Sequence, residues 1–429
     1  NFSQHLLHYD SKGEVKVDAK IKGEISKITS PVITIDFSVA DGSMKEKDSG
    51  VKLTQLHFNG HYTNFNTNET DEIVLKELSG KFLDGSFKAE LGIRNFTDPK
   101  IKLDVSGDFN LATLHKFLRP PRIEAMSGEL HTSIHLLSSI NSENQSMELI
   151  SASGKAKVKG GTITSKSLAL HLTSLNGLIE IKNNDASIEG LSGIKGQSDF
   201  EINGVIKNFM PYALKENQHI NIVASLVSEH IRLEDFLGKG EDPATATVTA
   251  TAAATATDYY FPSFINFNLD ASVGKLTYGA FEGKKLNGNF KLLDKKFTAK
   301  NLEIRMADGE CKGDLTVDGT GKNGFIIKTK QKAENLNIPK LFVLFENFGK
   351  TEITSENLEG NLNAEIDFFG WMDNQLNLHP DKVITTAKLE ITEGELNNFM
   401  LLDDLVKYMR EAKVMAKLKQ NAFDYVMLH

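Results

Sequence analysis

A single cysteine, Cys311, stands in 429 residues, so no disulfide can form within the chain and oxidative stapling plays no part in its stability. Basic residues are not in excess either. The 49 Lys and Arg against 57 Asp and Glu give a formal net charge of -8, which leaves no surplus of cations to displace counterions from a phosphate backbone. The balance argues against a dedicated nucleic-acid binder. Nowhere do about 18 apolar residues follow one another, so no segment of this sequence reads as a membrane-crossing helix. The first thirty residues lack the basic-then-apolar pattern of a signal peptide, and the abrupt opening at Asn1 reads as part of a longer protein.

Catalytic signatures are equally sparse. No P-loop, G-x-S-x-G or H-E-x-x-H occurs. Gly319, Gly321 and Gly324 satisfy G-x-G-x-x-G, but Phe325-Ile-Ile-Lys-Thr-Lys follows, which is a strand pattern, and the phosphate site needs a helix N-terminus. These glycines therefore read as a hairpin turn. His57 with His61, and His131 with His135, are four apart, a metal-ligand spacing on a helix; on strands both pairs face solvent, and neither has a third ligand at a useful spacing. Cys311 has no histidine near it in sequence and reads as a small strand residue. No enzyme, cofactor or metal is expected.

What the sequence does have is alternation. Hydrophobic residues make up 40% of it, and they recur with period two from one end nearly to the other. Val15, Val17, Ala19 and Ile21 alternate with lysines and Asp18; Ile265, Phe267, Leu269, Ala271 and Val273 do the same far downstream. Roughly 20 to 25 short strands are expected. They are separated by turns such as Ala40-Asp41-Gly42, Leu83-Asp84-Gly85 and Ala307-Asp308-Gly309. Alternation this clean gives each strand one wet and one dry face, as in antiparallel sheets. The expected fold is mostly β: an extended, twisted antiparallel sheet of repeated hairpins forming an apolar groove, with short helices between repeats.

Repetition sets the expected organisation. Short apolar helices are predicted at Asn110–Leu118, His230–Leu237 and Asn337–Phe345, and the phrases Ser127–Leu136 and Glu359–Phe368 resemble each other. This divides the chain into a first unit over 1–127 ending in a short helix, a second over 128–243, a third over 258–357 and a partial fourth over 358–398. Between the second and third, 244–257 is an Ala/Thr-rich tract that reads as a loop. From Phe399 to Leu428, apolar residues such as Leu402, Leu405, Met409 and Leu418 are spaced as in a helix, so 399–429 is predicted to be amphipathic and helical.

Three stretches together resemble the AsmA-like proteins of Gram-negative envelopes, in their Bacteroidota form. They are Gly193–Tyr212 (GIKGQSDFEINGVIKNFMPY), Phe261–Tyr278 (FPSFINFNLDASVGKLTY) and Lys388–Phe399 (KLEITEGELNNF) leading into Leu401–Leu405. The resemblance, shared with TamB and bridge-like lipid transfer proteins, implies a periplasm-facing protein held in the inner membrane by an N-terminal helix that this sequence does not include. It also implies phospholipid transport in outer-membrane biogenesis, with phospholipid and outer-membrane or envelope proteins as partners and no catalytic residue. The expected lipid-binding residues are inward ones from the middle of strands: Leu168, Leu170, Leu172, Phe200, Ile202, Phe267, Leu269, Phe290, Leu292, Leu302 and Ile304. The alternative is a structural or scaffold β protein of the envelope, with a closed core and a surface that binds other proteins.

Overall fold

A computed structural model describes residues 9–24, 31–47, 50–64, 71–82, 85–120, 123–140, 147–165, 170–214, 218–236, 259–321, 323–349, 351, 353–397 and 422–428. They fall into two compact units, 1–193 with 203–220 and 194–202 with 221–429. The first unit contains β1 (Tyr9–Lys22), β2 (Val32–Glu46), β3 (Lys52–Thr63), β4 (Glu72–Phe82), β5 (Gly85–Arg94), β6 (Lys100–Asn110), α1 (Leu111–Leu118), β7 (Ala125–Ile140), β8 (Met147–Ser165), β9 (Leu170–Lys182), β10 (Asp185–Lys195) and α2 (Phe209–Leu214). β11 (Ser198–Lys207) divides its residues between the two. The second contains β12 (Ile220–Arg232), β13 (Ile265–Tyr278), β14 (Phe281–Leu293), β15 (Lys296–Met306), β16 (Gly309–Asp318), β17 (Phe325–Asn337), α3 (Ile338–Leu344), β18 (Leu358–Met372), β19 (Ile384–Leu396) and β20 (Ala422–Leu428).

The protein is mostly β, with 74% of the described residues in strands. In the first unit every strand from β1 to β9 pairs antiparallel with the next in the chain. In the second the same meander runs from β13 to β20. Short connections and sequential pairing follow from the hairpin turns: Asn183 and Asn184, Asp294 and Lys295, and Ala307 and Asp308 all take positive φ, as tight hairpin turns require.

Strict alternation is broken at one point in many strands, and mostly in the same way. In the first unit Asp41, Gln55, Glu77, Gly160, Ser174 and Gly190 lie in the left-handed region, each followed by Gly or Leu. In the second, Lys285, Asn301, Asn335 and Glu393 do the same. Most of them sit where the register slips by a residue, as between Leu75 and Leu78, Ala299 and Leu302, or Ala333 and Leu336. These are β-bulges, which bend a strand and increase its twist. One extra polar residue would otherwise turn every later side chain onto the wrong face; the bulge absorbs it and keeps Leu56, Leu175, Leu286 and Leu336 buried.

Helices punctuate the meander where Asn follows a strand. Asn110 caps α1 by accepting from Ala112 N at 2.9 Å and Thr113 N at 3.3 Å, and Asn337 caps α3 by accepting from Lys340 N at 3.0 Å. α3 has Pro339 in its first turn, where the missing N–H costs nothing. Both helices bury one side, through Leu111 and Thr113 in α1 and Ile338 and Leu341 in α3, against the strands before and after them.

The predicted helix at His230–Leu237 is not formed. β12 continues to Arg232, and only Leu233–Asp235 turns as a single 3-10 element. Local polar bonds outcompete the helix: the Asp235 carboxylate accepts from Gln197 N and Ser198 Oγ, both at 2.8 Å, and Glu234 accepts from Gly279 N at 2.7 Å. The second helix is instead α2, one hairpin earlier, where Tyr212 N donates to the Asn208 carbonyl at 3.1 Å. At the C-terminal end, Ala422–Leu428 is a strand paired with β19 and not the end of an amphipathic helix; residues 399–421 lie outside the described residues. Its Phe-Asp-Tyr-Val core favours a strand, and β19 offers an edge to pair with. The Ala/Thr tract 244–257 also lies outside the described residues.

Candidate functional site

Alternation and register together assemble the dry faces. In the first unit one row of directly opposed residues runs Val17, Phe37, Gly60, Leu75, Leu91, Leu103, Leu136 and Ala152, from β1 to β8. A second runs Leu78, Ala89, Val105, Ile134, Gly154 and Ile181. At about 4.8 Å per strand, the first row is a continuous apolar track on the order of 30 Å long. The Phe37 ring lies flat over Gly60, where an added Cβ would stand 2.2 Å from the ring.

The second unit repeats the arrangement. Phe267, Leu292, Phe297, Val317 and Ile327 oppose one another in turn, as do Leu269, Phe290, Ala299, Leu315, Thr329 and Phe368. Toward the other end of these strands, Ile304, Cys311, Ala333, Ala364 and Leu389 form a further row. α3 packs its Leu341 and Leu344 onto that end, with Leu286, Leu336 and Val273. At the opposite end Phe297 is ringed by Phe261, Phe267 and Phe290, with centroids 6.3 to 6.5 Å away.

Between these two ends the face is only partly covered. Leu269, Leu315, Val317, Ile327, Ile366 and Phe368 are half-buried, as are Leu91, Leu103, Ile134 and Leu136 in the first unit. On β1 the inward-phase residues are far more open: Val15, Val17 and Ile21 are 60%, 64% and 68% exposed. A sealed sandwich core would bring such positions close to zero.

The wet face is laced with cross-strand pairs. Asp36 and His61 meet at 2.7 Å, Asp108 and His131 at 2.6 Å, and Asp104 bonds His135. The strand reading of these histidines thus places His61, His131 and His135 directly opposite carboxylates. In the second unit Lys330 and Asp367 meet at 2.9 Å and Lys300 and Asp314 at 2.7 Å. The bond from Lys300 holds the Asp314 carboxyl below the usual carboxylate range, and the bond to Asp367 holds the Lys330 ammonium above its ordinary value. His57, Lys88, Glu90 and His135 line an open cavity of about 760 Å³ together with Ser106, Ser133, Val105 and Ile134. Among the described residues no group of three or more His, Cys, Asp or Glu is placed to hold a metal ion.

Of the expected lipid-binding residues, Leu168 lies outside the described residues. Leu170 and Leu172 share the dry face of β9, while Phe267, Leu269, Phe290, Leu292, Leu302 and Ile304 share that of β13 to β15. They are not equally available. Leu292 at 3% exposure, and Ile304 and Phe200 at 8%, are packed residues, whereas Leu170, Leu172, Ile202, Phe267, Leu269, Phe290 and Leu302 are half-buried. Not among the expected lipid-binding residues are the bulge leucines Leu56, Leu78, Leu175, Leu286 and Leu336 and the row Leu75, Leu91, Leu103 and Leu136; Leu302, which also follows a bulge, is among those expected. Their signal was present: two successive polar residues before a leucine, as in Leu53-Thr-Gln-Leu56, Leu75-Lys-Glu-Leu78 and Ala299-Lys-Asn-Leu302. Comparison with family models and with curated proteins finds no match.

Proposed function

We propose that this chain is a non-enzymatic lipid-binding and lipid-transfer protein that holds acyl chains along its apolar sheet faces. The observation that carries this reading is the uncovered dry face, with long rows of opposed aliphatic and aromatic side chains left half-exposed and Val15, Val17 and Ile21 more than half-exposed. Such a face is costly in water, and covering it with hydrocarbon recovers about 0.8 kcal/mol per buried methylene. Apolar contact is non-directional, so a chain can slide along a row without breaking specific bonds. The charged wet face meets the aqueous compartment.

Taken with the sequence resemblance, this reading makes the protein AsmA-like. It would face the periplasm, be tethered to the inner membrane, and carry phospholipid in outer-membrane biogenesis with other envelope proteins as partners. A scaffold with a sealed core is the competing reading; the elements that pack over the described sheets are their own short helices, which cover strand ends and leave the middle open.

The test is a photo-crosslinkable phospholipid presented to the wild type and to Leu170→Asp and Leu269→Asp. Both positions are half-buried, so a charge there meets the lipid more than the core; Leu292, packed between Phe267 and Phe297, would report on folding instead. Labelling is expected to fall several-fold in each variant. Equal labelling of all three proteins sinks the proposal.

A further inference from the structure

On β17 the dry face of the second unit carries two successive polar side chains. Thr329 and Gln331 occupy successive inward positions of β17, where Ile327 precedes them and Ala333 follows. Gln331 stands directly opposite Gly313 on one side and Ile366 on the other, and Thr329 stands between Leu315 and Phe368. The surroundings are therefore apolar, and the two polar groups must find their own partners.

They do so almost completely. The Thr329 hydroxyl donates to the Asp314 carbonyl at 2.8 Å. The Gln331 amide nitrogen donates to Thr329 Oγ1 at 2.7 Å and to the Asp314 carbonyl at 3.3 Å. A carbonyl oxygen can only accept, so this side of the amide must be the nitrogen. Both N–H donors are then used, and Gln331 Oε1 is left with no donor among the described residues. Gly313 makes room for the arrangement: a Cβ there would stand 2.6 Å from Oε1 and 2.0 Å from the Lys330 carbonyl.

The first unit provides an internal contrast. Thr132 occupies a dry-face position on β7 and donates to the Lys155 carbonyl at 2.9 Å, the same bond that Thr329 makes. Two residues to either side of it stand Leu130 and Ile134, so no amide accompanies that threonine.

Resting on the lipid-binding reading, we infer that Gln331 selects among chains. Its free carbonyl oxygen, fixed in an apolar face, favours an acyl chain that carries its own hydrogen-bond donor, a hydroxyl, over a plain hydrocarbon chain. A plain chain lying there strips water from Oε1 and gives nothing back. A hydroxylated one replaces the lost bond, and because it can slide, its hydroxyl reaches Gln331 from more than one position along the chain. Neutral hydrogen bonds of this kind are worth about five-fold in affinity.

The experiment is displacement of a fluorescent fatty acid from the full chain by octadecanoic acid and by its 12-hydroxy derivative. It compares the wild type with Gln331→Leu, both checked for folding by circular dichroism. The wild type should bind the hydroxylated acid about five-fold more tightly, and the leucine variant should lose that preference while keeping or improving its affinity for the plain acid. Equal affinity of the wild type for the two acids overturns the inference, as does a preference that survives in the variant; in both cases the lipid-binding reading stands. Failure of either acid to displace the probe, or of the probe to bind, removes that reading and this inference with it.

Discussion

Cys311 shows how position, not residue type, sets chemistry. Burial pushes its thiol up to about 11, and the neighbouring Glu310 carboxylate adds to the effect. The folded state thus holds on to a proton that the unfolded chain releases from about pH 9 upward. Native stability contributed by this group is complete below that point and is lost as the pH climbs toward 11. A thiol-specific disulfide such as dithiobis(nitrobenzoate) at pH 8 is expected to leave the native protein unmodified and to react at once in denaturant, releasing nitrothiobenzoate; modification of the native protein at the rate of a free thiol would contradict the buried placement. Gly60 makes the complementary case. Its missing side chain is filled by the Phe37 ring, so Gly60→Val should destabilise the first unit by about 1–3 kcal/mol in chemical denaturation, and Phe37→Ala in that background should be milder than in the wild type. Neither position was distinguishable in the sequence, where Cys311 was simply a small residue and Gly60 one glycine among 33.

Strands and helices differ in how plainly the sequence announces them. Period-two alternation places most strands correctly because a half-buried strand has no other way to keep one face dry. Bulges are harder to see, since a single polar insertion looks like noise until a neighbouring strand shows the slip in register. They carry a sharp prediction. Asn301 occupies the left-handed region, so Asn301→Gly should be tolerated within about 1 kcal/mol and Asn301→Val should cost about 1–2 kcal/mol. Deleting Asn301 should be better tolerated than Asn301→Val, because Ala299 and Leu302 are then two residues apart, like Leu315 and Gly313 opposite them, and Leu302, Ile304 and Met306 keep their dry phase. Thermal melts of the three variants decide the order. The caps behave more conventionally: Asn110→Ala removes the acceptor for two N–H groups of α1 and should cost about 1 kcal/mol. The failed helix at His230–Leu237 has a definite cause. Its apolar spacing was adequate, but Asp235 and Glu234 had bonding partners in Gln197, Ser198 and Gly279, distant in sequence and close in space.

At the scale of the whole molecule, the proposal that half-exposed dry faces hold acyl chains has a measurable consequence. A dye sensitive to apolar surface, such as anilinonaphthalene sulfonate, should bind the native protein and be displaced by fatty acid, and saturating lipid should raise the melting temperature by mass action. A native protein that binds no dye, with a melt indifferent to lipid, would instead have its dry faces sealed. Native mass spectrometry of the freshly purified chain offers an independent check, with bound phospholipid as the expected result.

The amino-acid pattern alone settled that this is an antiparallel β protein, because alternation, turn chemistry and strand length are local properties that need no partner to be read. It also marked the dry residues, since side-chain phase along a strand is dictated by the backbone. What required the folded chain was everything that depends on register. Only pairing brings Leu75, Leu91, Leu103 and Leu136 into one row, separates the packed Leu292 from the open Leu269, and isolates the Gln331 carbonyl among aliphatic neighbours. Those are contacts between residues far apart in the chain, and the free energy that fixes them belongs to neighbouring strands jointly and to no strand alone.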